Sequence, residues 1–251
     1  MSSLEGGSAD ELLASLRSLV ERLREQGSTE ARVTIDVPND EALALFRRLG
    51  FTEARRELVA DLAALETRFE DEQAPSSGSV HVQTDDQGAV ERAVARFLPR
   101  VAPTSRETIV SAPENGWVAV HDETAAADPQ RLRKLASELS YVTGGVVLAL
   151  GVEEGAVVRL IAFDRGQMMD EYLSVPEYYG PLPPGDAIAL RANPTLLARL
   201  TGADAAAIRQ IARTADSPAE LPPAEELRTQ VAQALRIDLG VGRPGAVTVE
   251  H

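Results

Sequence analysis

The stretch VVLALGVEEGAVVRLIAFDRGQMMDEYLSV, residues 146–175, decides the fold class of this chain. Three segments within it, VVLALGV, VVRLIAF and MMDEYLSV, have the length and the β-branched or alternating content of strands. The turn residues DRGQ join the last two segments into a hairpin. The three strands predict a sheet, and the elements around them decide what kind of sheet it is.

The residues before this stretch contain both strands and helices, which lead up to its first strand. In chain order the predicted elements are VHVQTD (80–85, strand), AVERAVARFLPRV (89–101, helix), ETIVSA (107–112, strand), GWVAVHD (116–122, strand), DPQRLRKLASELSYV (128–142, helix) and VVLALGV (146–152, strand). Strand, helix, strand, strand, helix, strand is the order of a ferredoxin-like domain, which here carries an added hairpin. We therefore predict an α+β protein with an antiparallel sheet and two helices on one face.

The residues after the hairpin predict a loop and three helices. The loop EYYGPLPPGD carries Tyr178 and Tyr179, which are candidates for a partner surface or for a loop pinned to the core. The helices are PTLLARLTG, ADAAAIRQIART and PPAEELRTQVAQALRI, and they either cover the sheet or form a partner surface. The tail GVGRPGAVTVEH has too little pattern to place.

Composition narrows the classes of function. The chain has 251 residues, no cysteine and a formal net charge of −14. This charge argues against nucleic-acid binding as a function, because that binding neutralises phosphates with Lys and Arg. The three histidines, His81, His121 and His251, are far apart in sequence and predict no metal site. Lys134 is the single lysine, a bias typical of a high-GC bacterial genome.

Membrane and secretion signals are not found in the sequence. The N-terminal residues MSSLEGGSADELL lack a basic region followed by an apolar core. Apolar runs stay shorter than a membrane span. We therefore expect a cytoplasmic protein without a membrane partner.

Some side chains allow more than one interpretation. Trp117 could stack on a ligand or anchor the core. Asp170 and Glu171 are neighbours on a predicted strand, so alternation places them on opposite faces and they cannot act as a carboxylate pair without a bulge. The spacing of Ala198 and Gly202 suits a helix-turn-helix, but it is equally common in ordinary helical hairpins.

Two stretches near the N-terminus follow a recognisable spacing. The first, LEGGSA at residues 4–9, places Gly7 and Ala9 at the start of an apolar helix. The second, NDEALALFRRLGF at residues 39–51, begins at Asn39 after a predicted strand and ends in a Gly–Phe pair. A glycine-rich loop that opens a helix exposes backbone N–H groups, and together with the helix dipole these favour an anion.

These stretches resemble part of the GNAT family of N-acetyltransferases, over about residues 4–65. In that family a loop Q/R-x-x-G-x-G/A cradles the coenzyme A pyrophosphate, and a strand ending in Asn precedes A-x-x-L/Y-Y-x-x-x-G-F. The resemblance implies that Gly7, Ala9, Asn39 and Phe46 would contact acetyl-CoA if an acyl-CoA is bound. It implies no catalytic residue, since phenylalanine stands where the family often has a proton-donating tyrosine.

The resemblance also sets the predicted domain organisation. It reaches only the C-terminal half of such a fold, so we predict a truncated GNAT-like module at residues 1–69. The stretch EDEQAPSSGS, residues 70–79, is predicted as a linker. An α+β domain at 80–251 follows, with its sheet core at 80–175 and a helical C-terminal part at 193–237.

Three hypotheses for the function follow. The first is a binding or assembly module in which the GNAT-derived part has no catalysis and which has a protein partner or forms a homodimer. The second is an acyl-CoA-dependent N-acetyltransferase completed by a partner protomer or by further upstream residues. The third is a regulatory module that binds acyl-CoA without turning it over.

Overall fold

Two antiparallel sheets organise the part of the chain that the structure describes. The structure is a computed structural model, and it describes residues 9–34, 46–54, 57–61, 76–240 and 244–250. The first sheet has three strands and the second has seven. Together with the helices they make an α+β protein, which confirms the predicted fold class at that level. No helix within these ranges is long and apolar enough to cross a membrane.

The N-terminal unit consists of one long helix and the three-stranded sheet. Its elements are α1 (Ala9–Glu25), β1 (Glu30–Thr34), β2 (Thr52–Ala54) and β3 (Glu57–Asp61). The strand order is β1-β3-β2, and residues 46–48 are helical. Leu16 and Val20 on α1 are buried, as are Phe46, Leu49 and Phe51. The strand β3 pairs with both β1 and β2 and so forms the centre of this sheet.

The seven-stranded sheet carries the rest of the chain. Its strands are β4 (Ser77–Gln83), β5 (Glu107–Val110), β6 (Trp117–Asp122), β7 (Val146–Glu153), β8 (Val157–Asp164), β9 (Gln167–Leu173) and β10 (Val247–Glu250). They lie in the order β10-β5-β6-β4-β7-β8-β9, with every neighbouring pair antiparallel. The strand β4 begins at Ser77, inside the stretch predicted as linker. The tail that could not be placed from sequence supplies the edge strand β10.

Local sequence signals explain the bounds of these elements. The PENG turn between β5 and β6 puts Asn115 at φ 52° and Gly116 at φ 81°, a left-handed pair that suits a tight hairpin. Asp86 caps the helix Gln87–Val101 and Asp128 caps the helix Pro129–Thr143, each through a side-chain oxygen that accepts from backbone N–H groups. Gly144, at φ 68°, ends the second of these helices.

Helices cover both faces of the large sheet. The helices are α2 (Gln87–Val101), α3 (Glu123–Ala126), α4 (Pro129–Thr143), α5 (Pro184–Ala189), α6 (Pro194–Thr201), α7 (Ala205–Ile211) and α8 (Ala224–Leu235). Helices α2 and α4 bury one face against side chains such as Val80 and Val120. Helices α6, α7 and α8 bury the other face, here called the C-terminal face, against side chains such as Leu148 and Leu160. The predicted C-terminal helices are thus a covering layer.

Candidate functional site: a cavity beside a buried histidine

A cavity of about 260 Å³ lies on the C-terminal face of the sheet. Among the residues that the structure describes, it is lined by His81, Ser111, Ala112, Pro113, Glu114, Trp117, Ala119, Asp238 and Pro244. Strands β4 and β6 provide His81, Trp117 and Ala119, while Asp238 follows α8 and Pro244 precedes β10. The cavity therefore lies between the sheet and the residues Asp238 and Pro244.

Strand alternation directs His81 to this face. Val80 and Val82 belong to the core formed with α2 and α4, so the residue between them points to the opposite side of β4. The same alternation in β6 sends Val118 and Val120 to that core and Trp117 to the C-terminal face. A histidine is unusual at such a position, because the other residues of the layer are mostly aliphatic.

His81 is a buried polar group with an unused nitrogen. Its side chain is 0 % exposed, and its Nε2 lies 2.9 Å from the hydroxyl oxygen of Ser79. The Nδ1 atom has no hydrogen-bond partner among the described residues. Burial, followed by the proximity of His121 and of Arg228, lowers the pKa of His81 to about 3. The imidazole is thus neutral at ordinary pH.

His121 lies close to His81 from the neighbouring strand. The two ring centroids are 6.5 Å apart and the rings are nearly perpendicular, at 87°. Its Nε2 is also buried without a partner among the described residues. Burial is the largest cause that lowers the pKa of His121, and Arg228 lowers it further. Asp238 and a hydrogen bond with the backbone of Gly240 raise it, but the net shift is downward. The pair therefore offers two neutral rings.

The geometry favours binding over acid–base chemistry. The Ser79–His81 contact looks like a nucleophile with its base, but Ser79 is fully buried and does not line the cavity. A histidine with a pKa of about 3 is a weak base near neutral pH, so it acts as a fixed hydrogen-bonding group. Across the described residues no group of three His, Cys, Asp or Glu side chains could hold a metal ion.

Trp117 and two carboxylates complete the site. Trp117 is the single tryptophan of the chain, is 4 % exposed, and lines the cavity while it also belongs to the core of the C-terminal face. The structure therefore supports the interpretation of Trp117 as a core anchor, and stacking on a ligand stays a prediction. Glu114 is exposed beside the hairpin turn, and Asp238 is half-buried.

The structure describes two of the four residues that the GNAT resemblance implies as acetyl-CoA contacts. Gly7 and Asn39 lie outside the described residues, and Ala9 is the first residue of α1. Phe46 is 1 % exposed, and its ring meets that of Phe51 edge-to-face with 5.2 Å between centroids. Phe46 thus acts as a core residue of the N-terminal unit.

The tyrosine loop is attached to the domain by both of its tyrosines. Tyr178 is 1 % exposed, donates to the carboxylate of Glu154 over 3.3 Å, and has the guanidinium of Arg48 4.4 Å from its ring centroid. Tyr179 is half exposed and donates to Glu153 over 2.8 Å. The burial of Tyr178 removes it from the candidate partner surface, because a packed ring has no free face for a partner. Tyr179 keeps an exposed ring face and so remains a candidate.

Sequence reasoning considered the histidines only for their separation along the chain and so missed the site. A usable signal was present, since His81 and His121 each follow a valine in a predicted strand and so lie on the face away from the core valines. No local pattern indicated that Asp238 lines the cavity, because its position depends on tertiary structure after α8.

Comparisons with protein-family models, with curated proteins and with solved structures find no match for this chain.

Proposed function

We propose that this chain is a binding module and that the cavity beside His81 is its small-molecule site. The observation that carries the proposal is the unpartnered Nδ1 of a fully buried histidine that lines a cavity. A buried polar atom without a partner costs about 1–3 kcal/mol. A ligand that donates or accepts this hydrogen bond recovers that free energy, so the bond contributes to the affinity of the site.

The size of the cavity limits the ligand. Its 260 Å³ lies just under the range of about 300–1,000 Å³ that is usual for pockets of drug-sized molecules. Ala112, Pro113 and Ala119 supply small apolar walls, and Trp117 supplies an aromatic one. These dimensions and walls suit a single ring with a short polar substituent.

Filling the cavity with a larger side chain is expected to abolish binding. Ala119 lines the cavity, so Ala119→Leu occupies the space that a ring would take. Benzyl alcohol is the neutral probe, and because Trp117 is the only tryptophan, its fluorescence reports occupancy of this cavity. We expect a saturable change for the natural sequence and a loss of at least about tenfold in affinity for Ala119→Leu.

Ala95→Leu, on an exposed part of α2, is the matched control for that test. It adds the same side chain far from the cavity and is expected to bind the probe like the natural sequence. Equal affinity of Ala119→Leu and the natural sequence, or no saturable response from a folded natural protein, would contradict the proposal.

The N-terminal unit is proposed to be a GNAT-derived module without catalysis. The order of helix α1, strand β1 and a helical stretch before Gly50 and Phe51 supports the derivation. The buried phenyl ring of Phe46 supports the lack of catalysis, because it has no proton to donate. For the second domain we infer a ferredoxin-like core, supported by the neighbour order β5-β6-β4-β7 with an added hairpin. A protein partner or homodimer stays a prediction, with Tyr179 as its surface candidate.

An acyl-CoA-dependent acetyltransferase is the second candidate function, and the element order of the N-terminal unit is what favours it. Calorimetric titration with acetyl-CoA tests it, with Gly7→Glu as the variant that places a negative charge in the predicted pyrophosphate loop. We expect no saturable heat from the folded protein. Saturable binding that Gly7→Glu abolishes would instead support the acyltransferase or the regulatory acyl-CoA hypothesis.

A further inference from the structure

We infer that the exposed face of α2 docks an acidic helical segment of a partner protein. The surface is formed by Arg92, Arg96 and Arg100, here called the arginine row. The inference goes beyond the proposed function and does not rest on the cavity beside His81. It depends on the spacing of the row, on its lack of ion pairs and on its place in an acidic chain.

Helical spacing places the arginine row on the solvent side of α2. The buried side of this helix is formed by Val90, Ala93, Val94, Leu98 and Val101. The three arginines recur at every fourth residue and are all exposed. Four residues of a helix rise about 6 Å, so the row extends over about two turns. Glu91, the one acid of α2, is half-buried and lies about 100° around the helix from Arg92.

The arginine row is not used to stabilise the protein itself. None of its three guanidinium groups forms a hydrogen bond or an ion pair with another described residue. Arg96 has one ring contact, with its Cζ 5.3 Å from the centroid of Phe97, and such a contact satisfies no N–H donor. By contrast, Arg133 on the neighbouring helix α4 pairs with Glu171. The N–H donors of the row are therefore open to a partner.

Carboxylates on a second helix match the arginine row. Glutamates at every fourth position of a helix have the same rise of about 6 Å, so each carboxylate can meet one guanidinium. Beside the row, Ala95 and Pro99 are exposed and have short side chains, which allows a second helix to approach closely. The match is one of charge and of spacing together.

The distribution of charge favours a short acidic segment over a nucleic acid or a membrane. The chain has a formal charge of −14, whereas α2 and α4 together carry six basic and two acidic residues. A nucleic acid would extend from this basic surface onto the acidic remainder, and the aromatic residue of α2, Phe97, is half-buried rather than open to base stacking. Ala95 and Pro99 are too small to anchor the helix in lipid.

An NMR titration of ¹⁵N-labelled protein with two alanine-based peptides tests the inference at low ionic strength. The first peptide has three glutamates at every fourth position, and the second has the same residues with the glutamates five apart, where they no longer share a face. We expect the amide resonances of α2 to shift saturably with the first peptide and the second to bind at least about threefold more weakly. Replacing all three arginines of the row with glutamine should weaken the first complex about tenfold, because each exposed pair contributes about two- to threefold.

Controls separate the arginine row from the net charge of the protein. Combined replacement of Arg191, Arg199 and Arg209 with glutamine removes three exposed charges outside α2 and should change the affinity by less than about twofold. Arg96→Glu is a second variant of the row that should also weaken binding. The inference would be overturned by the lack of a saturable shift in the folded protein or by equal losses in the two triple variants. Tighter binding of a single-stranded oligonucleotide or of phosphatidylserine vesicles to the row would also overturn it.

Discussion

Replacing Glu153 with alanine is expected to lower the free energy of unfolding by about 3 kcal/mol. Glu153 is buried at the end of β7, and its two oxygens accept from the Nε and Nη2 of Arg159 over 2.6 Å and 3.1 Å. It also accepts from the hydroxyl of Tyr179. Its removal leaves the largely buried guanidinium of Arg159 with only Glu171 as a carboxylate partner among the described residues. Urea unfolding followed by circular dichroism measures the change.

Asp164→Ala is the matched control for this variant. Asp164 is an acid on the adjacent strand β8, a third exposed, and its carboxylate lies 3.9 Å from the Nε of Arg165. Such surface pairs contribute less than about 1 kcal/mol, so the loss should be small. A Glu153→Ala variant as stable as the natural protein, or an equal loss in Asp164→Ala, would contradict the importance given to the buried ion pair.

Acidification from about pH 6.5 to about pH 5 is expected to remove about 2 kcal/mol of stability through His81 alone. The pKa of His81 is about 3 in the folded protein and near the ordinary value of 6.5 in the unfolded chain. Above the unfolded value both states are neutral at this ring. Below it the unfolded chain binds a proton that the folded protein excludes, so stability falls with pH until the folded pKa is reached.

His81→Gln isolates this contribution from that of the carboxylates. Glutamine keeps a polar group beside Ser79 but does not titrate. As the pH falls, the free energy of unfolding should therefore decrease more in the natural protein than in His81→Gln. Urea unfolding curves of both proteins measure this. Parallel loss of stability in both proteins across this range would show that His81 is not held neutral by burial.

The strands and helices of the large domain follow from local pattern. Alternation and β-branched content predicted β5 to β9 within one or two residues, and the helix predicted at residues 128–142 begins one residue before α4. Such signals are carried by neighbours in sequence. The tail Val247–Glu250 could not be placed, because its pairing with β5 depends on contacts such as the one from the Gln87 amide to the Gly245 carbonyl.

The candidate site was less accessible from sequence. Trp117 was recognised as a residue with two possible roles. His81 is a candidate binding residue only because it is buried and lines a cavity, and the sequence shows neither property. Tyr178 shows the converse, since its place in a proline-rich loop was typical of a surface while its ring is packed against Arg48. Burial of single side chains depends on tertiary contacts that no local pattern contains.

The protonation state of His81 is the most direct test of the account. The chain has three histidines, so protein labelled with ¹⁵N-histidine gives a simple long-range ¹H–¹⁵N spectrum, assigned with single His→Gln variants. We predict that His81 near neutral pH carries its proton on Nε2 and that the Nδ1 resonance shifts as benzyl alcohol saturates the cavity. A proton on Nδ1, a charged ring, or an unchanged Nδ1 resonance at saturating benzyl alcohol would contradict the proposed site.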